Sequence, residues 1–243
     1  MKRVIPQLPA ASYQLPANAR LSLQGAGSWK LAAVVTLAAA LLAIPVVATA
    51  QSAPAPSPAP ATGKPLTQQE RDFAVKHLAE TRQKFLDSVS GLSDAQWTFK
   101  AAPDRWSIAE VAEHIAVSES SILQLVTDKV VKAPAAPADA PRIPDEKVVA
   151  AVADRTERFQ APEFLRPTNR YSSREALVKD FSEARDRTTN YVKTTTDDLR
   201  NHAAPHPVLK TLDGYQWLLL ISAHSARHTA QIEEVKTSAG YPK

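Results

Sequence analysis

The chain has no cysteine. Disulfides, thiolate metal sites, a cysteine nucleophile and a lipid-modified bacterial N-terminus are therefore excluded. Any metal must be held by histidine and carboxylate. Glycine is scarce, with six in 243 residues, and none are grouped into a phosphate-cradling loop. Acid is absent from the first fifty residues, which carry Lys2, Arg3, Arg20 and Lys30. Those four bases account for the whole net charge of +4, because the other 25 of the 29 Lys and Arg residues meet 25 Asp and Glu. Beyond residue 50 the chain is neutral and lacks the basic footprint of a nucleic-acid binder, so no nucleic-acid partner is expected.

The basic segment leads into a charge-free apolar run of 17 residues, 31–47, preceded by Lys30 and followed by Ala48-Thr49-Ala50. A positive flank, an apolar core and an A-x-A site are the parts of a secretory signal peptide. The core is short for a stable span, which needs about 20 apolar residues, and Pro45 breaks its end. About thirty residues precede the core, long for a signal peptide. Cleavage is the favoured reading of 1–50, with an uncleaved inner-membrane anchor or a buried helix as alternatives. The only membrane contact expected is through this segment. The expected location is periplasmic or extracellular. Residues 51–65 alternate Pro with Ala and Ser and read as an extended spacer.

From residue 66 to 243 the apolar periodicity is helical and no alternating strand pattern stands out. Thr67-x-x-Glu70, Ser107-x-x-Glu110, Ser172-x-x-Glu175 and Asp213-x-x-Gln216 resemble capping boxes that start helices. The pattern predicts four long helices over about 68–89, 108–131, 173–198 and 214–237. Gly91 stops the first, and a short turn follows at 93–97. A weaker helix over about 145–158 interrupts the connection between the second and third. The flanks of that weaker helix, 133–144 and 160–170, are rich in proline and read as loop. The fold class is all-α: a four-helix bundle with a long crossover between helices 2 and 3.

There are six histidines, at 77, 114, 202, 206, 224 and 228. His224 and His228 are spaced i, i+4 on the fourth helix and share a face with Trp217, Ile221, Gln231 and Val235, which turns them inward. His114 lies in the second helix on the side of Val111 and Ser118. Three neutral imidazoles from two facing helices suit a divalent ion, zinc or nickel above all, and leave a position for water. The alternative is three hydrogen-bonded core histidines. His224-Ser225-Ala226-Arg227-His228 has no Glu after the first histidine, so the zinc-protease pattern with its built-in base is absent. Glu110 is accounted for by its capping box, and Glu113 and Glu119 point elsewhere on the helical wheel. No catalytic residue is assigned. Gln231 is a candidate to orient water or substrate from beside the histidines, or a helix–helix contact. Arg227 reads as a structural salt bridge, with a substrate acid as its alternative partner. Trp97, Trp106 and Trp217 read as core.

Two segments carry a family resemblance. Trp106-Ser107-Ile108-Ala109-Glu110-Val111-Ala112-Glu113-His114-Ile115-Ala116 resembles the second-helix signature of the DinB-like (YfiT-type) superfamily. Leu212-Asp213-Gly214-Tyr215-Gln216-Trp217-Leu218-Leu219, followed by His224-x-x-Arg227-His228-x-x-Gln231-Ile232, resembles its fourth-helix signature. The resemblance spans about 66–243. It implies a four-helix bundle with a long crossover and a divalent metal held at the positions of His114, His224 and His228. His206-Pro207 resembles the loop before the fourth helix, but Lys210 stands where relatives often carry glycine, and His206 is left outside the ligand set.

The resemblance does not fix a reaction, because members include thiol-dependent S-transferases, a thiol-dependent isomerase and metal hydrolases. Export disfavours a thiol S-transferase, since thiol cofactors are concentrated in the cytosol. The leading expectation is an exported metal-dependent hydrolase-type enzyme acting on a small molecule. A non-catalytic metal- or ligand-binding module, a thiol-dependent S-transferase and a metal-free scaffold are the alternatives. Helical bundles often dimerise, so a homodimer remains open, with no patch assigned.

Overall fold

The computed structural model describes residues 64–243 apart from 138, 139 and 141. The apolar run 31–47, the A-x-A site and all but Lys64 and Pro65 of the proline-rich spacer lie outside the described residues. Helices form at α1 (Gln68–Val89), α2 (Asp94–Thr98), α3 (Ile108–Asp128), α4 (Asp145–Ala153), α5 (Arg174–Thr194) and α6 (Gly214–Lys236). Capping boxes start α1 at Thr67, α2 at Ser93, α3 at Ser107 and α6 at Asp213. At α5 the cap falls one residue later than the sequence motif suggests. Ser173 accepts from Ala176 N, and alanine at that position has no side chain to complete a box.

The four long helices form the bundle. α1 packs on α5 and α6, α3 packs on the same two, and α4 lies against α6. The crossover from α3 to α5 contains α4 and two 3-10 turns, Val130–Lys132 and Glu163–Leu165. Among the described residues no helix is long and apolar enough to cross a membrane. Two apolar clusters fill the interior. One is built around Leu78, Ile122, Val126, Val192, Leu218 and Ile221, the other around Phe85, Ile108, Ile115, Phe181 and Ile232. Between them along each helix sits a layer of buried polar groups: Thr81 on α1, Ser118 and Glu119 on α3, Arg185 and Thr188 on α5, and Ser225 on α6.

An antiparallel hairpin precedes α6: β1 (Ala203–His206) pairs with β2 (Lys210–Asp213), in the register Ala203↔Asp213 to His206↔Lys210. The sequence reading contains no strand here. Each strand has only four residues, Pro205 and Pro207 interrupt the pattern, and the turn carries the specification instead. His206 Nδ1 accepts from Val208 N at 3.2 Å and Leu209 N at 3.0 Å, and Lys210 closes the turn at φ 64°. Such a left-handed residue after a three-residue turn ordinarily favours glycine. The next glycine has a different cause. A Cβ on Gly214 would stand 2.8 Å from Leu199 Cδ2, so Gly214 permits the close approach that lets its N–H donate to Leu199 O at 2.7 Å.

Candidate metal centre

The box at Ser107 fixes the start of α3 and brings His114 to its second turn, facing α6. The box at Asp213 fixes α6 and places His224 and His228 on adjacent turns of one face. The three rings meet, with centroids 4.9 Å apart for His114–His224, 4.5 Å for His114–His228 and 4.4 Å for His224–His228. One nitrogen from each lies within 4.8 Å of the others. His114 is buried, while His224 and His228 are partly exposed. His114 Nε2 is 3.2 Å from His224 Nε2. Two nitrogens bound tetrahedrally to one zinc ion at ~2.0–2.1 Å stand about 3.3 Å apart, so this separation fits a shared ion.

Two of the rings have fixed tautomers. His114 Nδ1 lies 2.8 Å from Leu165 O, and a carbonyl can only accept, so Nδ1 carries the proton and the Nε2 lone pair faces the cluster. His228 Nδ1 donates to Gln231 Oε1 at 2.8 Å, which leaves its Nε2 free in the same way. Burial holds all three neutral. It lowers the pKa of His114 against the opposing bond to Leu165. It drives His224 well below the ordinary value, helped by the neighbouring His228 and His114. His228 falls to about 3 through burial and then the nearby His114. Neutral imidazole is the form that binds a metal.

The remaining histidines are elsewhere. His77 packs against Phe73 on α1 with the rings tilted by 59°, His202 Nδ1 donates to Ala133 O at 2.6 Å, and His206 organises the hairpin turn. Gln231 therefore orients a histidine. Among the described residues Arg227 makes no salt bridge: it donates to Glu157 O and Val152 O and lies over Phe159, bracing the crossover. Glu110 completes its box and accepts from Lys100 at 2.7 Å. Trp217 is buried, as read from sequence. Trp106 is half-buried with its ring 5.1 Å from His114, so it flanks the site, and half-buried Trp97 lies under Arg174. Among the described residues, three side-chain polar atoms on the histidine-bearing helices are buried without a partner: Ser118 Oγ, one turn beyond His114, Trp217 Nε1, two turns before His224, and Thr229 Oγ1, next to His228.

Three participants escape the sequence reading. Leu165 contributes only a backbone carbonyl, which leaves no mark on residue type. Glu113 and Glu119 both face protein. Glu113 accepts from Thr168 N at 2.7 Å, Asn169 N at 2.9 Å and Arg170 Nε at 3.0 Å. Glu119 pairs with Arg185 on α5. Their flanking apolar residues, Val111, Ala112, Ile115 and Ala116, are a signal that this helix is buried on more than one face.

A helical bundle with a long crossover and three histidines meeting between its second and fourth long helices is a metal-site architecture. The chain belongs to the DinB superfamily, whose family model matches residues 77–232, a span that contains all three histidines. It is similar to YuaE of Bacillus subtilis (strain 168), an uncharacterized protein, at 26% identity over 157 residues, covering 65% of this chain and 93% of YuaE. Among solved structures it is similar to YfiT from Bacillus subtilis at 20% identity, with a TM-score of 0.49, covering 73% of this chain and 91% of that one. YfiT is described as "a probable metal-dependent hydrolase with an unusual four-helix bundle topology".

Proposed function

We propose that this protein is a divalent-metal-dependent enzyme of hydrolase type with a small-molecule substrate, its metal held by His114, His224 and His228. The observation that carries the reading is the convergence of three neutral imidazoles, with the His114 and His224 Nε2 atoms 3.2 Å apart. An all-imidazole donor set suits zinc or nickel. A divalent ion with three protein ligands supplies a water whose pKa falls toward ~7, and hence hydroxide near neutral pH. The protein's own part is positional. Leu165 and Gln231 hold two rings in the tautomers that expose Nε2. Trp106 walls one side.

One observation favours a second reading, a binding module without turnover. Among the described residues no carboxylate hydrogen-bonds to any of the three histidines, whose partners are Leu165 O, Gln231 Oε1 and one another. The reading of 1–50 as an export segment carries over as part of the proposal, since a domain outside the inner membrane is separated from cytosolic thiols. Elemental analysis of the full-length protein, purified without a histidine tag, tests the metal. About one divalent ion per chain is expected in the parent, in His77→Ala and in His202→Ala, and none in His228→Ala. No metal in the parent after incubation with zinc and with nickel would overturn the enzyme reading.

A further inference from the structure

Glu113 lies next to His114 on α3, buried, with its carboxylate turned to the crossover. It gathers four donors from three consecutive residues: Thr168 N and, at 3.4 Å, Thr168 Oγ1, Asn169 N and Arg170 Nε. Asn169 sits at φ 58°, a left-handed position that asparagine tolerates, and two consecutive N–H groups turn onto the same carboxylate. A few residues earlier the same stretch offers Leu165 O to His114 Nδ1.

The stretch has little else to hold it. The turn Glu163–Leu165 contributes no buried residue, and Phe164 is 65% exposed. Its other hydrogen bonds are local: Leu165 N to Pro162 O, Arg166 N to Glu163 O, Arg166 Nε to Ala161 O and Arg170 Nη2 to Arg166 O. Among the described residues, every hydrogen bond from 161–170 to a helix ends on Glu113 or His114. The segment is anchored beyond its two ends, by Arg227 on Glu157 O and by Tyr171 on Asp180 of α5, and between those anchors Glu113 is, among the described residues, the one side chain that ties it to α3 besides His114 itself.

We propose that Glu113 is a positioning residue for the metal centre: by clamping Thr168, Asn169 and Arg170 to α3 it holds the Leu165 carbonyl on His114 Nδ1 and so presents the Nε2 lone pair to the other two histidines. The functional weight of this arrangement rests on the three-histidine metal reading, but the arrangement itself does not. With the clamp released, Nδ1–H loses its acceptor, and the ring is free to take the tautomer whose proton sits on the atom that should bind the metal. The outer partners of metal-bound histidines typically govern about 10–100-fold in affinity.

The test reads the tautomer first and the metal second. In the full-length protein kept metal-free with a chelator, nitrogen-15 correlation spectra of the His114 ring should show a single Nδ1–H form in the parent. Glu113→Gln keeps the volume but replaces one accepting oxygen with a donor that faces N–H groups. It should give a mixture of tautomers, and its zinc affinity should fall about 10–100-fold. Glu113→Asp, which keeps the charge on a shorter arm, should restore part of both. Arg170→Met removes one donor from the surface side, shifts the same two readouts less, and serves if Glu113→Gln fails to fold. A single Nδ1–H tautomer retained in both Glu113→Gln and Arg170→Met would overturn the proposal, whatever the metal does. A mixed tautomer with unchanged zinc affinity would overturn its functional half. Absence of zinc binding in the parent would strike the metal reading and leave the tautomer result to decide the clamp.

Discussion

His224 and Ser225 are neighbours on α6 and belong to two buried polar clusters of opposite design. Ser225 closes a hub around Arg185 and Glu119, each 1% exposed. Arg185 donates to both Glu119 oxygens at 2.6 and 2.8 Å, to Leu78 O, to Thr81 Oγ1 at 2.7 Å and to Ser225 Oγ at 2.8 Å. One guanidinium thus ties α5 to α3, α1 and α6, and every nitrogen it carries has an acceptor. His224 belongs to a cluster whose rings direct nitrogen atoms at one another with few partners. The hub is satisfied from within, so it can only fix the packing of four helices. The histidine cluster is charge-free and leaves acceptor lone pairs converging on one point, so it has capacity for something from outside. The distinction lies in which atoms lack partners, since burial alone does not separate the two.

The largest expected effect breaks the hub. Arg185→Met leaves Glu119 as an uncompensated buried charge and should destabilise the fold by about 3–5 kcal/mol. Arg185→Met combined with Glu119→Leu should recover most of that loss, because a buried pair replaced by apolar groups of similar volume is often neutral. In the same metal-free buffer His228→Ala should cost only about 1 kcal/mol, an ordinary single-substitution effect. Urea denaturation of the four proteins checks this. Equal losses for Arg185→Met and His228→Ala would erase the contrast.

Added metal should reverse the ranking of interest. Zinc at 100 times its dissociation constant should stabilise the parent by about 2.7 kcal/mol. His224→Ala and His228→Ala should gain far less, and Arg185→Met/Glu119→Leu should gain as much as the parent if the two clusters are independent. Thermal melts with and without chelator read all four.

A smaller effect distinguishes the clusters by pH. The three histidines have folded pKa values below the unfolded value of about 6.5. As pH falls through 6.5 the unfolded chain takes up protons first, so metal-free stability should drop and go on dropping toward about 3, the folded value of His228. His206, also lowered by burial, adds to the same slope. Carboxylates held below their ordinary value, such as Glu70 and Asp145, act with the same sign only at lower pH. The window from about 6.5 to 5 therefore belongs to histidine. His224→Asn should flatten the slope there, and an unchanged slope in urea titrations would mean that His224 does not stay neutral in the fold.

The two clusters were unequally legible in the sequence. The four long helices and the triad could be read because period, caps and i, i+4 spacing are local, and because the motifs around His114 and His224 resemble a known family. The hub could not: Glu119 and Arg185 lie 66 residues apart, and nothing at either position announces the other. Glu113 is harder still, since its partners are mostly backbone N–H groups of any residue type. The charge of Arg227 suggests an ion pair, yet its acceptors are the carbonyls of Val152 and Glu157. The hairpin has no strand periodicity to announce it, because its turn is set by a histidine ring and one left-handed residue.

That left-handed residue carries the smallest prediction and a control on the rest. Lys210 holds φ 64° in the hairpin turn, a conformation that ordinarily favours glycine. A non-glycine residue there costs about 1–2 kcal/mol in local sterics, part of which glycine gives back through the greater freedom of the unfolded chain. Lys210→Gly should therefore stabilise the protein by about 0.5–1 kcal/mol. The hairpin leads into the Asp213 cap of α6, which carries both Ser225 and the histidine pair, but Lys210 touches neither cluster through any hydrogen bond or ion pair. Its gain should add to the Arg185→Met loss and leave zinc stabilisation untouched. Urea denaturation of the single and double variants, with and without zinc, checks both statements. A gain that vanished in the Arg185→Met background would show that the hairpin and the hub share one cooperative unit through α6, and the two clusters could then no longer be treated as separable parts of that helix.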